Sequence, residues 1–242
     1  MKVFKKVVLV SLLIILSILL LIIGGGYSMY QNAISETPLE EKVSQIRQKE
    51  NFTPIDIMPK MYQNAVISVE DHRFKEHSGI DFIAIGRAVV NNIKAFRLVE
   101  GGSTITQQLA KNMYFTQKKK FTRKIAEVFT AFDLEKKYSK QEILELYLNT
   151  CYFGNGYYSV SEASLGYFGK EVQDMTDAEC ILLAGIPNAP SVYSPYENLD
   201  LARQRQHQVL NSMVKNGYLT ENEANTIASD NSVFSRFENE TF

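Results

Sequence analysis

Two adjacent carboxylates, Glu70 and Asp71, stand at the end of an apolar stretch that reads as a helix. A carboxylate that emerges from apolar surroundings tends to have a raised pKa, because desolvation disfavours its charged form, and this suits it to proton transfer. The pair is therefore a candidate general acid or base. Arg73 and His77 follow closely, and a group of this kind is more commonly a salt-bridge cluster at a helix end. The local residues leave both interpretations open.

A second segment carries groups that suit phosphate. Gly101 and Gly102 permit a tight turn, and Ser103 and Thr104 can then open a helix. The N-terminus of a helix offers free amides and a partial positive charge to an anion. An ordinary glycine turn and cap would explain those four residues, but it does not require the polar side chains that come next, which are Gln107, Gln108 and Lys111.

A basic run lies at residues 117–124, where five of eight residues are cationic. Such runs are usually solvated surface. Here the run leads into a predicted helix that contains Glu127, four residues after Arg123, so the two side chains share a face and can pair. Glu127 fits the wall of a cleft as well as an exposed ion pair, and by itself it decides nothing.

Helices are the elements predicted to position these groups. The sequence contains four capping boxes, in which a hydroxyl caps one backbone amide and the side chain three residues later reaches back; they begin at Thr104, Ser139, Thr176 and Thr220. No clear alternating strands occur, and no Asn-Gly or Asp-Gly turn links two such runs. The domain is therefore predicted to be mainly α-helical.

The first 26 residues are predicted to be an uncleaved membrane anchor. Three lysines precede an uncharged run from Val7 to Ile23, which continues into three glycines and approaches the roughly 20 residues needed to cross a bilayer. A cleaved signal peptide would have a shorter apolar core and a small-residue cleavage site, which we do not find. Because positive charge stays on the cytoplasmic side, everything after Tyr27 is expected to face outward.

Residues 27–51 are polar and predict a stalk, so the folded domain is expected over 52–242. Within it, residues 80–98 mix apolar side chains with scattered basic ones. This pattern fits an amphipathic core helix, or a helix that lies on a membrane surface with its cations at anionic headgroups. The segment alone favours the interpretation as a core helix. Only the neighbouring anchor makes a helix on the membrane surface a serious alternative.

Charge and cysteine content add two expectations. The chain has 26 Lys plus Arg against 27 Asp plus Glu, so its net charge of −1 gives no reason to expect nucleic acid as a partner. The two cysteines, Cys151 and Cys180, could pair in an oxidising compartment, but two free and partly buried thiols are the favoured interpretation.

Taken together, five segments resemble in order the motifs of the glycosyltransferase domain of peptidoglycan polymerases, family 51, in its monofunctional form without a penicillin-binding domain. The resemblance covers roughly residues 52–223, and the segments are 70–81, 101–112, 123–127, 142–170 and 184–190. Ser159 and Ser164 depart from the glycine and alanine common in relatives, but they touch no expected catalytic group. Lys119 stands where relatives often have arginine.

The resemblance implies a lysozyme-like, two-lobed helical domain behind one N-terminal transmembrane helix in the plasma membrane. It also implies an enzyme that polymerises lipid II into β-1,4-linked glycan chains with inversion and release of undecaprenyl pyrophosphate, without transpeptidase activity. Glu70 would take the proton from the acceptor's hydroxyl, and Glu127 would support catalysis by orienting cations or a divalent ion. The substrate-binding residues carried over are Asp71, Phe74, His77, Ser103, Thr104, Gln107, Gln108, Lys111, Asn112, Lys119, Arg123, Lys124, Asn149, Phe153 and Gly154.

The implied partners are lipid II, the growing lipid-linked glycan chain, the lipid bilayer and other cell-wall enzymes. A divalent cation, Mg²⁺ or Mn²⁺, is compatible with the acidic residues, but no complete ligand set is visible. Two rival functions stay open: a lysozyme-like glycan hydrolase, since paired carboxylates also serve glycosidases, and an inactive membrane-tethered scaffold. An S-x-x-K pattern at Ser212 and Lys215 is interpreted as helix surface, because no K-T-G or S-D-N partner accompanies it.

Overall fold

The computed structural model describes residues 2–97, 101–115 and 121–238, and within these ranges the chain folds into helices joined by loops. The described residues contain one isolated antiparallel bridge, between Ser78 and Ile80, and no extended strand. The prediction of a mainly α-helical fold is therefore confirmed. Lys119, one of the expected substrate-binding residues, lies outside the described residues.

Thirteen α-helices are described, together with short 3-10 turns at Ile55–Ile57, Val172–Asp174 and Ile186–Asn188. In chain order they are α1 (Lys2–Glu36), α2 (Leu39–Arg47), α3 (Lys60–Glu70), α4 (Phe82–Ala95), α5 (Ile105–Tyr114), α6 (Phe121–Lys137), α7 (Lys140–Leu148), α8 (Val160–Phe168), α9 (Asp177–Gly185), α10 (Pro190–Tyr193), α11 (Leu199–Lys215), α12 (Glu221–Ala228) and α13 (Ser232–Glu238).

All four predicted capping boxes form, at the starts of α5, α7, α9 and α12. Each satisfies amides that the helix itself leaves without partners, which typically stabilises a helix by about 1 kcal/mol. Asp81 caps α4 in a related way, because its carboxylate accepts hydrogen bonds from the amides of Ile83 and Ala84. These caps fix where the helices around the candidate site begin.

The core is built around α9, which is buried along its whole length from Ala178 to Gly185. Helices α3 and α11 pack against it and against each other, while α5 packs between α6 and α7. Cys151 and Cys180 are free and buried, as the favoured interpretation predicts. Burial raises the pKa of each thiol to about 12, so neither is reactive near neutral pH.

The segment between the apolar run and Phe52 differs from the predicted polar stalk. Helix α1 continues without a break to Glu36 and packs along α6. Helix α2 then buries one apolar face, made of Leu39, Val43 and Ile46, in the core. Only three apolar residues at helical spacing carry this contact, and the polar residues between them dominate the composition. We therefore propose that the folded unit begins near Leu39 rather than at Phe52.

Helix α4 is not a core helix. Ala88 is its one buried residue, and the apolar side chains along it are largely exposed, with Phe96 at its end 96% exposed. The core interpretation of residues 80–98 is therefore wrong for the part that the structure describes. An amphipathic pattern shows which face is apolar, but it cannot show whether protein or lipid covers that face. Within the described residues, no other part of the protein covers the apolar face of α4.

Helix α1 has the length and composition of a membrane span. Val3–Glu36 is the one helix among the described residues that is long and apolar enough to cross a bilayer, and none of its apolar window is buried in the protein. The same properties would suit a signal sequence, so the membrane anchor stays a prediction.

Candidate active site

A cleft of about 660 Å³ opens where the end of α3, the segment from Gly101 to Lys111 and one side of α11 meet. It brings together residues that are far apart in the chain. Among those predicted to act on substrate, the residues that line it are Glu70, Asp71, Ser103, Gln108 and Lys111. The two segments that the sequence singled out, one acidic and one suited to phosphate, therefore share a cavity.

Glu70 is the last residue of α3, and its side chain is only 6% exposed. Its Oε2 accepts a hydrogen bond from Gln108 Nε2 at 2.9 Å. Its Oε1 accepts none from the described residues and lies 3.9 Å from Arg205 Nη2. Burial raises the pKa of Glu70, while Gln108, Arg205 and Lys111 oppose that shift. This is a carboxylate held by one oxygen, with the other left without a hydrogen bond, as a general base requires.

The end of α3 is fixed by α11. Asp71 leaves the helical conformation with φ −160° and ψ 74°, which ends α3 directly after Glu70. The carbonyl of Ser68, in the last turn, accepts hydrogen bonds from Ser212 Oγ at 2.7 Å and from Asn216 Nδ2 at 3.2 Å. Ser212 thus lies in the contact between α3 and α11, whereas Lys215 is exposed. The serine of the S-x-x-K pattern serves to hold the helix that presents Glu70.

Four of the predicted substrate-binding residues make contacts that hold α5 in place. Asp71 accepts hydrogen bonds from the Ile105 amide at 3.0 Å and from His77 Nε2 at 2.9 Å. Thr104 Oγ1 donates to the Gly79 carbonyl at 2.7 Å. Thr104 and Gln107 form the capping box of α5. Asp71, His77, Thr104 and Gln107 are all buried, so their polar atoms orient the two segments that meet at the cleft.

Four further residues lie away from the Glu70 cleft. Phe74 is buried in the core with Lys140 Nζ 4.5 Å from its ring centre. Asn149 bridges the amide and carbonyl of Thr53 and also donates to the Glu145 carbonyl, each at 2.8 Å. Phe153 is fully buried, and Gly154 adopts φ +84°, which favours glycine. The structure gives these residues contacts within the fold.

The cationic side of the site is carried by α6. Glu127 is 3% exposed and pairs with Arg123 Nε and with Lys124 Nζ, both at 3.0 Å. Lys124 Nζ also donates to Ser103 Oγ at 2.8 Å, which ties α6 to the start of α5. A cavity of about 270 Å³ lies beside these groups and shares Ser103, Gln108 and Lys111 with the Glu70 cleft. Glu70 and the cations therefore face adjoining spaces.

Asn112 lines a third cavity, of about 250 Å³, which also shares Gln108 and Lys111 with the Glu70 cleft. Tyr152 also lines this cavity. Lys111 is common to all three cavities and makes no ion pair with the residues described. Its ammonium group is thus available to a ligand that enters any of them.

Arg205 is the main site residue that the sequence did not reveal. It lies on α11, its Nε donates to the Gly185 carbonyl at 3.1 Å, and its guanidinium stands 5.3 Å from the centre of the Tyr193 ring. Burial lowers the pKa of Arg205, and the charge of Glu70 opposes this. Gly185 belongs to the fifth motif segment, and a side chain there would come 2.8 Å from Arg205 Cγ. That glycine was the one available signal.

The described residues bring together no group of three or more His, Cys, Asp and Glu side chains that could hold a metal ion. Glu127 is already paired with two cations, and Asp71 with His77 and an amide. The described residues thus do not fit the divalent cation that the resemblance allows.

The sequence matches the family model described as Transglycosylase over residues 37–214, a range that contains all five motif segments. It is 50% identical over 179 residues to penicillin-binding protein 1F of Bacillus subtilis (strain 168), which covers 73% of this chain and 25% of that protein. It is 45% identical over 173 residues to penicillin-binding protein 1A of Neisseria flavescens, covering 72% of this chain and 22% of that protein.

A crystal structure of penicillin-binding protein 1A from Haemophilus influenzae aligns over 52% of this chain and 16% of that one, at 28% identity and a TM-score of 0.37. The two curated relatives are much longer than this chain, which spans about a quarter of their length.

Proposed function

Because this chain belongs to the transglycosylase family, we propose that it is a peptidoglycan glycosyltransferase that polymerises lipid II into β-1,4-linked glycan chains and releases undecaprenyl pyrophosphate. The observation that carries this proposal is the pairing of one buried carboxylate with a cation cluster across adjoining cavities. A displacement at a sugar carbon needs a base for the attacking hydroxyl and charge stabilisation for the leaving group. The two sides of this site supply one each.

Glu70 acts as the base. It takes the proton from the GlcNAc 4-hydroxyl of the acceptor as that oxygen forms a bond to C1 of the donor's MurNAc, while the bond from C1 to the pyrophosphate oxygen breaks. The electron pair leaves with the pyrophosphate, and the α-linkage is replaced by a β-linkage. Gln108 holds Oε2, which leaves Oε1 to receive the proton. Arg205 and Lys111 favour the ionised form of Glu70 against the effect of its burial.

The cations of α5 and α6 stabilise the leaving group. Lys111, Arg123 and Lys124 place positive charge where negative charge develops on the phosphate oxygens, and the arginine fork can grip two of them. Glu127 orients Arg123 and Lys124 and is not a second proton acceptor. General base catalysis typically contributes about 10²–10⁴-fold, so most of the acceleration has to come from this charge stabilisation and from positioning.

The membrane contacts follow from α1 and α4. We propose that α1 spans the plasma membrane with its N-terminal lysines in the cytoplasm, so that the domain lies outside. Helix α4 then rests its exposed apolar side on the outer surface of the bilayer, with Lys94 at the headgroups, while Arg87 and Arg97 line the Glu70 cleft. A substrate anchored by a lipid would reach the cleft from that surface.

The contacts of Glu127 favour a transferase over a glycan hydrolase. A retaining or inverting hydrolase needs a second carboxylate near the sugar, as acid, base or nucleophile. Glu127 is nearly fully buried between two cations, which leaves it poorly suited to that task.

The experiment uses the full chain in detergent micelles with lipid II, with and without EDTA, and in parallel with preformed glycan. We expect glycan polymer from lipid II and no soluble fragments from the glycan. Soluble fragments without polymer would establish the hydrolase. The absence of both polymer and fragments would establish the inactive scaffold. Loss of polymerisation with EDTA, restored by Mg²⁺ or Mn²⁺, would contradict a mechanism without a metal step.

A further inference from the structure

Helix α1 touches α6 at a distance that only glycine permits. Gly26 is buried, and a Cβ built on it would lie 2.4 Å from Ile125 Cβ and 2.8 Å from the Thr122 carbonyl oxygen. A Cβ on Gly25 would lie 3.2 Å from Thr122 Cγ2, whereas one on Gly24 would meet none of the described residues within 4 Å. Small residues let two helices approach until their backbones touch. The contact is therefore specific to Gly26 and its neighbour.

The contact continues along both helices. Tyr27 and Tyr30 pack on Phe129, with ring centres 5.2 and 5.7 Å apart, and the Tyr30 hydroxyl donates to Asp133. Beyond the end of α1, Lys137 of α6 pairs with Glu40 of α2 at 2.5 Å. The contacts advance in the same order on the two sides, so α1 runs parallel to α6. The outer part of α1 is docked on the domain and is not a flexible tether.

The docked segment begins where the apolar run ends. The run from Val7 to Ile23 rises ~26 Å as a helix at 1.5 Å per residue, and the three glycines add ~4 Å. The hydrocarbon core of a bilayer is about 30 Å thick. Gly26 would therefore sit near the outer boundary of the hydrocarbon. Tyr27 follows it, and the 82% exposed Phe121 opens α6 beside it, as expected for aromatic side chains at a membrane surface.

The cations of the site lie on α6, close to its contact with Gly26. Arg123 and Lys124 directly follow Thr122, the residue that Gly26 touches, and Glu127 lies little more than one turn further. A turn of helix is about 5 Å. The cation cluster is thus placed within roughly 10 Å of the end of the apolar run. This is the depth at which the phosphates of a membrane-anchored molecule lie.

We propose that Gly26 is a positioning residue, and that docking of α1 on α6 sets the height of the Arg123–Lys124–Glu127 cluster above the bilayer. The cluster then meets the pyrophosphate of a lipid-linked substrate while the lipid stays in the membrane. The length of the apolar run and the contact at Gly26 together set the distance between the domain and the bilayer. The inference rests on the proposed function, because it concerns how that same site reaches its substrate.

The first test changes the length of the apolar run in α1. Four leucines inserted after Leu16 lengthen α1 by ~6 Å while leaving its docked segment unchanged. Lipid II polymerisation is measured in vesicles of phosphatidylcholines with monounsaturated chains of increasing length. We expect the rate of the wild-type protein to peak at one bilayer thickness, and that of the insertion variant to peak in thicker bilayers. An optimum that does not move with the insertion would overturn the proposal.

The second test breaks the contact. Gly26→Leu forces α1 away from α6, and Gly24→Leu is the matched control, since its side chain has open space. We expect Gly26→Leu to lower polymerisation in vesicles at least 10-fold and to flatten the thickness dependence, with a rate in detergent micelles within about 2-fold of wild type. Gly24→Leu is expected to behave as the wild type in both.

Two outcomes of the second test would overturn the proposal. One is a Gly26→Leu variant with wild-type rates in vesicles. The other is an equal loss in micelles and vesicles, which would show that the contact serves the folding of the domain and not its height. A wild-type protein that makes no polymer in either medium would instead refute the proposed function, and the inference with it.

Discussion

The charge of Arg205 is expected to favour the ionised form of Glu70. The side chains are 11% and 6% exposed, and Arg205 Nη2 lies 3.9 Å from Glu70 Oε1. Two opposite unit charges at that distance attract by about 4 kcal/mol at an effective dielectric constant of about 20. Loss of the guanidinium removes this attraction and therefore raises the pKa of Glu70 further. Gln108 and Lys111 remain and continue to favour the ionised form.

The perturbation is Arg205→Met, which keeps an extended side chain and removes the charge. The assay is kcat/KM for lipid II polymerisation in micelles as a function of pH. A general base works in its deprotonated form, so a raised pKa moves the acid limb of the profile to higher pH. We expect that limb to move to higher pH, so that activity at pH 7 falls by about 10–100-fold and recovers as the pH is raised.

Arg203→Met is the control, because Arg203 lies on the same helix but pairs with Glu238 and stacks on Phe234 away from the cleft. It should leave the profile unchanged. If Arg205→Met lowered the plateau of the profile without moving its acid limb, Arg205 would act on the substrate or the fold and not on the pKa of Glu70. The electrostatic reasoning would then be refuted.

Three further predictions concern carboxylates and one buried amide. Glu70→Gln should raise Tm by about 2–4 °C at pH 8, because burial raises the pKa of Glu70 and its ionised form destabilises the fold; the gain should vanish near pH 4, where the unfolded carboxyl is also protonated. Glu127→Gln should lower kcat/KM by about 10–100-fold through loosened cations, with an unchanged pH profile. Asn149→Ala should cost about 2–4 kcal/mol of unfolding free energy, since three internal hydrogen bonds are lost, with specific activity within 2-fold of wild type.

Each of these predictions has a distinct contradicting result. Tm would be measured across pH for wild type and Glu70→Gln. If the variant were never more stable than wild type, the ionised Glu70 carboxylate would not destabilise the fold. A displaced pH limb in Glu127→Gln would give that residue a proton-transfer role. Activity loss in Asn149→Ala at unchanged Tm would place the amide against the substrate.

The parts of the fold that sequence could predict are those that local chemistry determines. A capping box is complete within four residues, so Thr104 and Gln107 are enough to predict the start of α5. The pairing of Arg123 with Glu127 likewise needs only helical spacing. Glu70 could be selected because its motif was recognisable, although its own neighbours are more typical of a salt-bridge cluster at a helix end.

The parts that sequence could not predict depend on contacts between distant segments. Arg205 reaches Glu70 only because α11 packs on α3, and nothing in its own helix distinguishes it from Arg203. The exposure of α4 depends on what covers it, which an amphipathic pattern leaves open. Motif membership also does not separate a residue that faces the substrate from one that holds the fold, as the internal bonds of Asn149 illustrate.

The most direct measurement of the central claim compares polymerisation of lipid II by the wild-type chain, Glu70→Gln and Glu76→Gln in micelles. Glu76 belongs to the same motif segment but is 61% exposed, so it controls for the chemical change. We predict that Glu70→Gln loses at least 100-fold in kcat/KM at every pH, while remaining folded and binding lipid II, and that Glu76→Gln retains wild-type activity. Polymerisation by Glu70→Gln at the wild-type rate would contradict the assignment of Glu70 as the base.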